Sequence, residues 1–166
     1  MAGRKSKAPL RAGSPVMSAA QVVATAGGLG RIPLAPGTVG SAIGAALCLP
    51  LLRLGWPLHL AATVVLCAVA VAVSGRAAAE LGRSDPPQVI VDEIAGMGVA
   101  MLALPPQWYD LCAVFLLFRL FDVVKPAPIP RLERLGGGVG IVADDIAAGA
   151  LARVTWWLLQ ANFDFL

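Results

Sequence analysis

The sequence predicts an all-α fold, a polytopic membrane bundle of about four to five helices, and three observations predict it. Hydrophobic residues make up 58% of the 166 and charged residues only 14%, with a mean hydropathy of +0.77, far above what a water-soluble core needs. Residues 32–52 form an uncharged run of 21 and residues 54–75 one of 22, each matching the roughly 20 apolar residues that cross a bilayer. The Lys and Arg residues between such runs fall almost wholly on alternate connections, as the positive-inside rule requires.

The elements follow in order. Residues 1–20 open with "MAGRKSKAPLRAGSP", basic and poor in apolar side chains, which suits a disordered cytoplasmic tail drawn to anionic lipid. The stretch "VMSAAQVVATA" ends in a small-x-small pattern but lacks the leucine-rich core of a signal peptide. Residues 21–166 form the membrane-embedded domain. Its first two spans are the long uncharged runs. A third uncharged run, 94–109, is 16 residues long and is cut by Pro105 and Pro106, so it spans only if its helix starts near Pro87, bringing Asp92 and Glu93 to the membrane edge. A fourth helix is expected from about Trp108 to Val124, and a fifth from about Asp144 to Asn162 with Arg153 inside it and no assigned partner. Cys48, Cys67 and Cys112 all fall in apolar helical stretches without zinc spacing and serve as small packing residues.

One set of connections holds Arg4, Lys5, Lys7, Arg11 and Arg31, then Arg76 and Arg83, then Lys125, Arg131 and Arg134, and is cytoplasmic by the charge rule. Trp56 and Trp108 mark the opposite headgroup level, with little charge beyond Arg53. This threading brings "APGTVGS" (35–41), "SDPPQVIVDEIAGM" (84–97), "FRLFDVVKP" (118–126) and "GIVADDIAAG" (140–149) to one face. The threading implies a multi-pass membrane protein with these four motifs on the cytoplasmic side.

Acids near hydrocarbon cost about 2.5–3.5 kcal/mol each on insertion scales, so they are paired, metal-bound or functional. Asp92, Glu93, Asp122, Asp144 and Asp145 form the candidate metal set. Oxygen ligands without histidine or thiolate favour Mg²⁺, and Mn²⁺ next, over zinc or copper; His59, the one histidine, belongs to the opposite face and is structural. Arg119, Asp122 and Lys125 follow at i, i+3 and i+6, and Pro126 ends their helix so that Lys125 projects at the interface. Arg119 offers a bidentate fork to a phosphate or, alternatively, pairs with Asp122. Pro36, Gly37, Thr38 and Ser41 join Arg119 and Lys125 as candidate substrate-binding residues, because glycines let backbone amides approach an anion. Asp92 and Asp144 also suit helix N-caps, Asp85 a turn, and Arg131, Glu133 and Arg134 a solvated loop. "VDEIAG" (91–96) and "ADDIAAG" (143–149) repeat one order of residues and are expected to be two equivalent acidic helix starts around one metal.

No paired histidines, Cys-x5-Arg loop, Asp-x-Asp-x-Thr/Val motif or spaced-aspartate signature of the CDP-alcohol transferases is present. What is left for a phosphate-processing membrane enzyme is metal-assisted attack by water, with Asp92, Glu93, Asp122, Lys125 and Asp145 as catalytic candidates. "PLAPGTVGS", "VIVDEIAGM", "FRLFDVVKPAPI" and "GIVADDIAAG", in that order over about residues 20–150, resemble the phosphatidylglycerophosphatase A family. The resemblance implies Mg²⁺-dependent hydrolysis of phosphatidylglycerophosphate to phosphatidylglycerol, a phospholipid substrate and no nucleic-acid partner. It places the family's acidic positions on Asp92, Glu93, Asp122, Asp144 and Asp145, with Lys125 beside them. The alternative is an ion or small-solute transporter using intramembrane carboxylates, which predicts acids spread through the membrane depth. A non-catalytic assembly protein held by small-residue faces is a third reading.

Overall fold

A computed structural model describes residues 16–163 of the chain, so most of the basic tail lies outside the described residues. Within them are six α-helices, three short 3₁₀ turns and no strand. Helix α1 (Ala19–Ala24) is capped by Ser18, whose Oγ accepts from Gln21 N and donates to Glu80 Oε2. The segment after it lies against residues 88–90: Ile90 N donates to Ala24 O at 2.9 Å, and Gly30 faces the Gln88 carbonyl so closely that no Cβ fits.

Helices α2 (Pro36–Leu54) and α3 (Trp56–Leu81) form a hairpin turned by the single Gly55 at φ 94°, a conformation open to glycine without steric cost. Both are long and apolar enough to cross a membrane. Their outer faces expose Leu47, Leu49, Val64, Val65 and Val69.

Helix α4 (Val91–Ala100) is the opposite kind of element. It has ten residues, eight of them buried, and rises only about 15 Å at 1.5 Å per residue, half the roughly 30 Å of a hydrocarbon core. The expected third span is therefore a half-length helix in the middle of the bundle. Arg153 closes its far end, donating through Nε to Leu102 O at 2.8 Å and through Nη2 to Ala103 O at 3.1 Å. These carbonyls follow a helix C-terminus, where intrahelical donors run out and a cation is favoured, so the arginine without an assigned partner is the support of α4.

Helix α5 (Trp108–Val124) matches its expected range. Helix α6 (Gly137–Phe163) begins seven residues before the expected Asp144, so neither Asp144 nor Asp145 is an N-cap and the two acidic motifs are not equivalent helix starts. Among the described residues two helices, α2 and α3, meet the length and apolarity of a span, against the four to five expected: α4 has ten residues, α5 has 17 with Asp110, Arg119 and Asp122 among them, and α6 carries Asp144, Asp145 and Arg153.

Glycines set the closest crossings. A Cβ on Gly96 would stand 2.7 Å from Asp145 O and 2.8 Å from the Phe118 ring, and Gly149 faces Gly96 O in the same way. A Cβ on Gly75 of α3 would stand 2.9 Å from Gly138 N of α6. Small residues of this kind let helix backbones approach closely, and here they place α6 against α3 and α4 at the end where the acids lie.

Candidate active site

The site forms where the starts of α2, α4 and α6 meet the end of α5. Asp92 and Glu93 occupy the first turn of α4, and Asp145 projects from the third turn of α6. Carboxylate oxygens of Asp92, Glu93 and Asp145 all lie within 4.8 Å of one another. Asp92 and Asp145 are only 6% and 4% exposed, so bulk water does little to screen their repulsion. Asp92 Oδ1 accepts from Glu93 N at 3.1 Å, whereas Glu93 Oε2 and Asp145 Oδ1 are buried without a hydrogen-bond partner among the described residues. Hard oxygens, converging and unsatisfied, have the chemistry of a Mg²⁺ site.

The other two acids of the expected metal set are each held by a cation. Arg119 Nη1 meets Asp122 Oδ2 at 2.6 Å, and Lys125 Nζ meets Asp144 Oδ2 at 2.6 Å. Lys125 is the C-cap of α5 at φ 46°, followed by Pro126, so the helix stops at this residue and turns its side chain toward α6. Asp92, Glu93, Asp122, Lys125, Asp144 and Asp145 together line a cavity of about 100 Å³, with Asp85 and Pro86 also on its wall. At roughly 30 Å³ per water it has room for about three waters or one small anion in their place.

The residues expected on the substrate have different placements. Pro36, Gly37, Thr38, Ser41 and Arg119 are not on the wall of that cavity. Gly37 and Ser41 lie inside α2 and support Arg119 from behind: Ser41 Oγ donates to Gly37 O at 2.8 Å and accepts from Arg119 Nη1 at 3.4 Å. A Cβ on Gly37 would stand 2.7 Å from Glu93 Oε1 and 3.1 Å from both Arg119 Nη atoms. The glycine makes room for a side-chain carboxylate and a guanidinium. Thr38 is exposed.

Within this geometry the comparisons with known proteins become informative. The family model described as Phosphatidylglycerophosphatase A matches residues 22–160, taking in all the elements of the site. The chain belongs to the phosphatidylglycerophosphatase A family. It is similar to the Phosphatidylglycerophosphatase A of Escherichia coli, 33% identical over 75% of this chain and 74% of the relative. It is also similar to that of Haemophilus influenzae, 35% identical over 80% and 83%. A Bacteroides thetaiotaomicron protein named putative phosphatidylinositol-3-phosphatase is 35% identical over 83% of this chain and 94% of its own. No solved structure matches. The family membership makes the chain a phosphatase enzyme acting in lipid metabolism, and nothing in the comparisons supports the transporter alternative.

One buried acid escapes the motif reading. Asp110, in the first turn of α5, is 1% exposed, and its Oδ1 accepts from Trp156 Nε1 at 2.7 Å and Gln160 Nε2 at 2.8 Å. It lies at the end of the bundle away from the cavity. Its one sequence signal is an acid opening an otherwise apolar helix, the pattern of an ordinary N-terminal helix residue.

Proposed function

We infer that this protein hydrolyses phosphatidylglycerophosphate to phosphatidylglycerol and inorganic phosphate, with Mg²⁺, at the cytoplasmic face of a bacterial inner membrane that it crosses several times. The observation that carries the reading is the buried convergence of Asp92, Glu93 and Asp145, with unsatisfied oxygens, on a phosphate-sized cavity that also holds Lys125. The family and its E. coli and H. influenzae members supply the substrate.

Asp92, Glu93 and Asp145 would hold the ion. When bound, Mg²⁺ neutralises phosphate oxygens and acidifies water for attack on phosphorus. The new bond joins water oxygen to phosphorus, the bond to the glycerol oxygen breaks, and the proton released from water ends on that glycerol oxygen. A carboxylate of the cluster relays the proton. Lys125, held at the mouth of α5 by the left-handed cap, lies beside Asp144 with its ammonium on the cavity; turning from carboxylate to phosphate, it offsets charge that builds up as the bond breaks. Burial of the wall strengthens each of these interactions relative to water.

The charge pattern favours the cytoplasmic face. Arg31, Arg76, Arg83, Lys125, Arg131 and Arg134 all belong to the end that carries the cavity, and the other end has Trp56 and Trp108 exposed.

The test is phosphate release by the purified full-length protein in detergent micelles, from phosphatidylglycerophosphate and from phosphatidylinositol 3-phosphate, with Mg²⁺ or with EDTA. Release from the glycerol lipid that EDTA abolishes and Mg²⁺ restores is the expected result. Release unaffected by EDTA would refute the metal, and preference for the inositol lipid would move the substrate to the one named in the Bacteroides relative.

A further inference from the structure

The cavity has more acids than one ion needs, and the structure accounts for the surplus. Of the five buried or half-buried carboxylates on its wall, Asp122 is bound to Arg119 and Asp144 to Lys125. The remaining three are the ones whose oxygens converge within 4.8 Å. Unpartnered oxygens on Asp145 and Glu93 point to a ligand at that triad.

Resting on the reading of the triad as the metal site, we propose that the enzyme binds a single divalent cation and that the guanidinium of Arg119 permanently occupies the place a second ion takes in two-metal phosphatases. The position is built rather than incidental. Arg119 reaches Asp122 at 2.6 Å and Ser41 Oγ at 3.4 Å, and both Nη atoms, together with Glu93 Oε1, border the space that a Cβ on Gly37 would fill. Asp122 therefore has a resident cation, and Glu93 lies on the other side of the same gap. A second Mg²⁺ would need Asp122, and near-ideal octahedral oxygen geometry, at a point where an unremovable charge is already lodged. Arg119 is a positioning residue here: it stands off the cavity wall and fixes Asp122 at the rim of the triad.

The proposal is tested by Mn²⁺ stoichiometry on full-length protein in micelles, read by electron paramagnetic resonance and by calorimetry without substrate. The wild type is expected to bind about one ion per chain, and Arg119→Gln about two, with spin–spin broadening between neighbouring ions, because Asp122 is released as a ligand. Arg119→Lys restores a count of about one, since an ammonium also neutralises Asp122. Asp122→Asn still binds about one, which keeps the question answerable if Arg119→Gln does not fold. Two ions in the wild type, one ion in folded Arg119→Gln, or none in Asp122→Asn would each overturn it. No Mn²⁺ bound by the wild type would instead remove the metal reading beneath it.

Discussion

The two acidic motifs look alike in sequence and are used differently. "VDEIAG" opens α4 and "ADDIAAG" lies two turns inside α6, yet each places a glycine four residues after an acid, Asp92 before Gly96 and Asp145 before Gly149. Residues at i and i+4 share a helix face, so in each helix the acid stands directly above the position that permits close approach. Gly96 meets Asp145 O, and Gly149 meets Gly96 O, so the two helices run side by side in the same direction and the acids above the contact are drawn together. What differs is the second acid. Glu93 joins the triad, whereas Asp144 is turned to Lys125. The shared part of the motif builds the crossing, and the unshared part sends one acid to the carboxylate triad and the other to Lys125.

The sharpest way to break this comparison is to neutralise the matching acids. Asp92→Asn and Asp145→Asn should each lower Mg²⁺-dependent phosphate release by roughly 10³-fold, since each removes a charged ligand from one buried ion; full activity in either would show that the motifs do not meet at one metal. Next come the glycines. Gly96→Val and Gly149→Val force side chains into opposing backbone, and thermal unfolding in micelles should register a loss of at least about 1–3 kcal/mol for each, with the two substitutions non-additive because they share one contact. Asp144→Asn then separates the twin acids of α6: it should reduce turnover about tenfold, near 1.4 kcal/mol, through Lys125 and without loss of Mn²⁺ binding. Arg153→Gln is expected to do least to catalysis, with turnover within about threefold, while leaving the carbonyls of Leu102 and Ala103 unpaired and costing about 1–3 kcal/mol of stability.

Much of the site was legible before any coordinates. Four polar motifs at one end of an apolar chain implied convergence, and Lys125-Pro126 marked the end of α5. The glycine run before "IVADD" lies ahead of the helix expected from about Asp144, and glycine disfavours helix by about 1 kcal/mol per residue. The structure makes it the first turn of α6, where Gly138 must fit against Gly75, so tertiary packing overrides local preference. Gly37 carries a related ambiguity: sequence does not tell a glycine that admits a ligand from one beside two side chains, and a Cβ here would meet Glu93 and Arg119. The depth of α4 was hidden as well, because only an unpaired helix end, visible after folding, explains an arginine within α6. Cys112, expected to pack inside, is exposed on a helix whose neighbouring Leu116 and Leu120 are exposed too.

The support of α4 by Arg153 has a mechanical consequence. Gly149 and Arg153 belong to one helix, and between them they fix the segment that carries Asp92 and Glu93, the glycine by close approach to Gly96 and the arginine at the far end. The height of those carboxylates is thus gauged against α6 and not against the lipid surface. Should a thinner or thicker bilayer tilt the α2–α3 hairpin, the yardstick inside the bundle stays the same length, and the three oxygens keep their spacing.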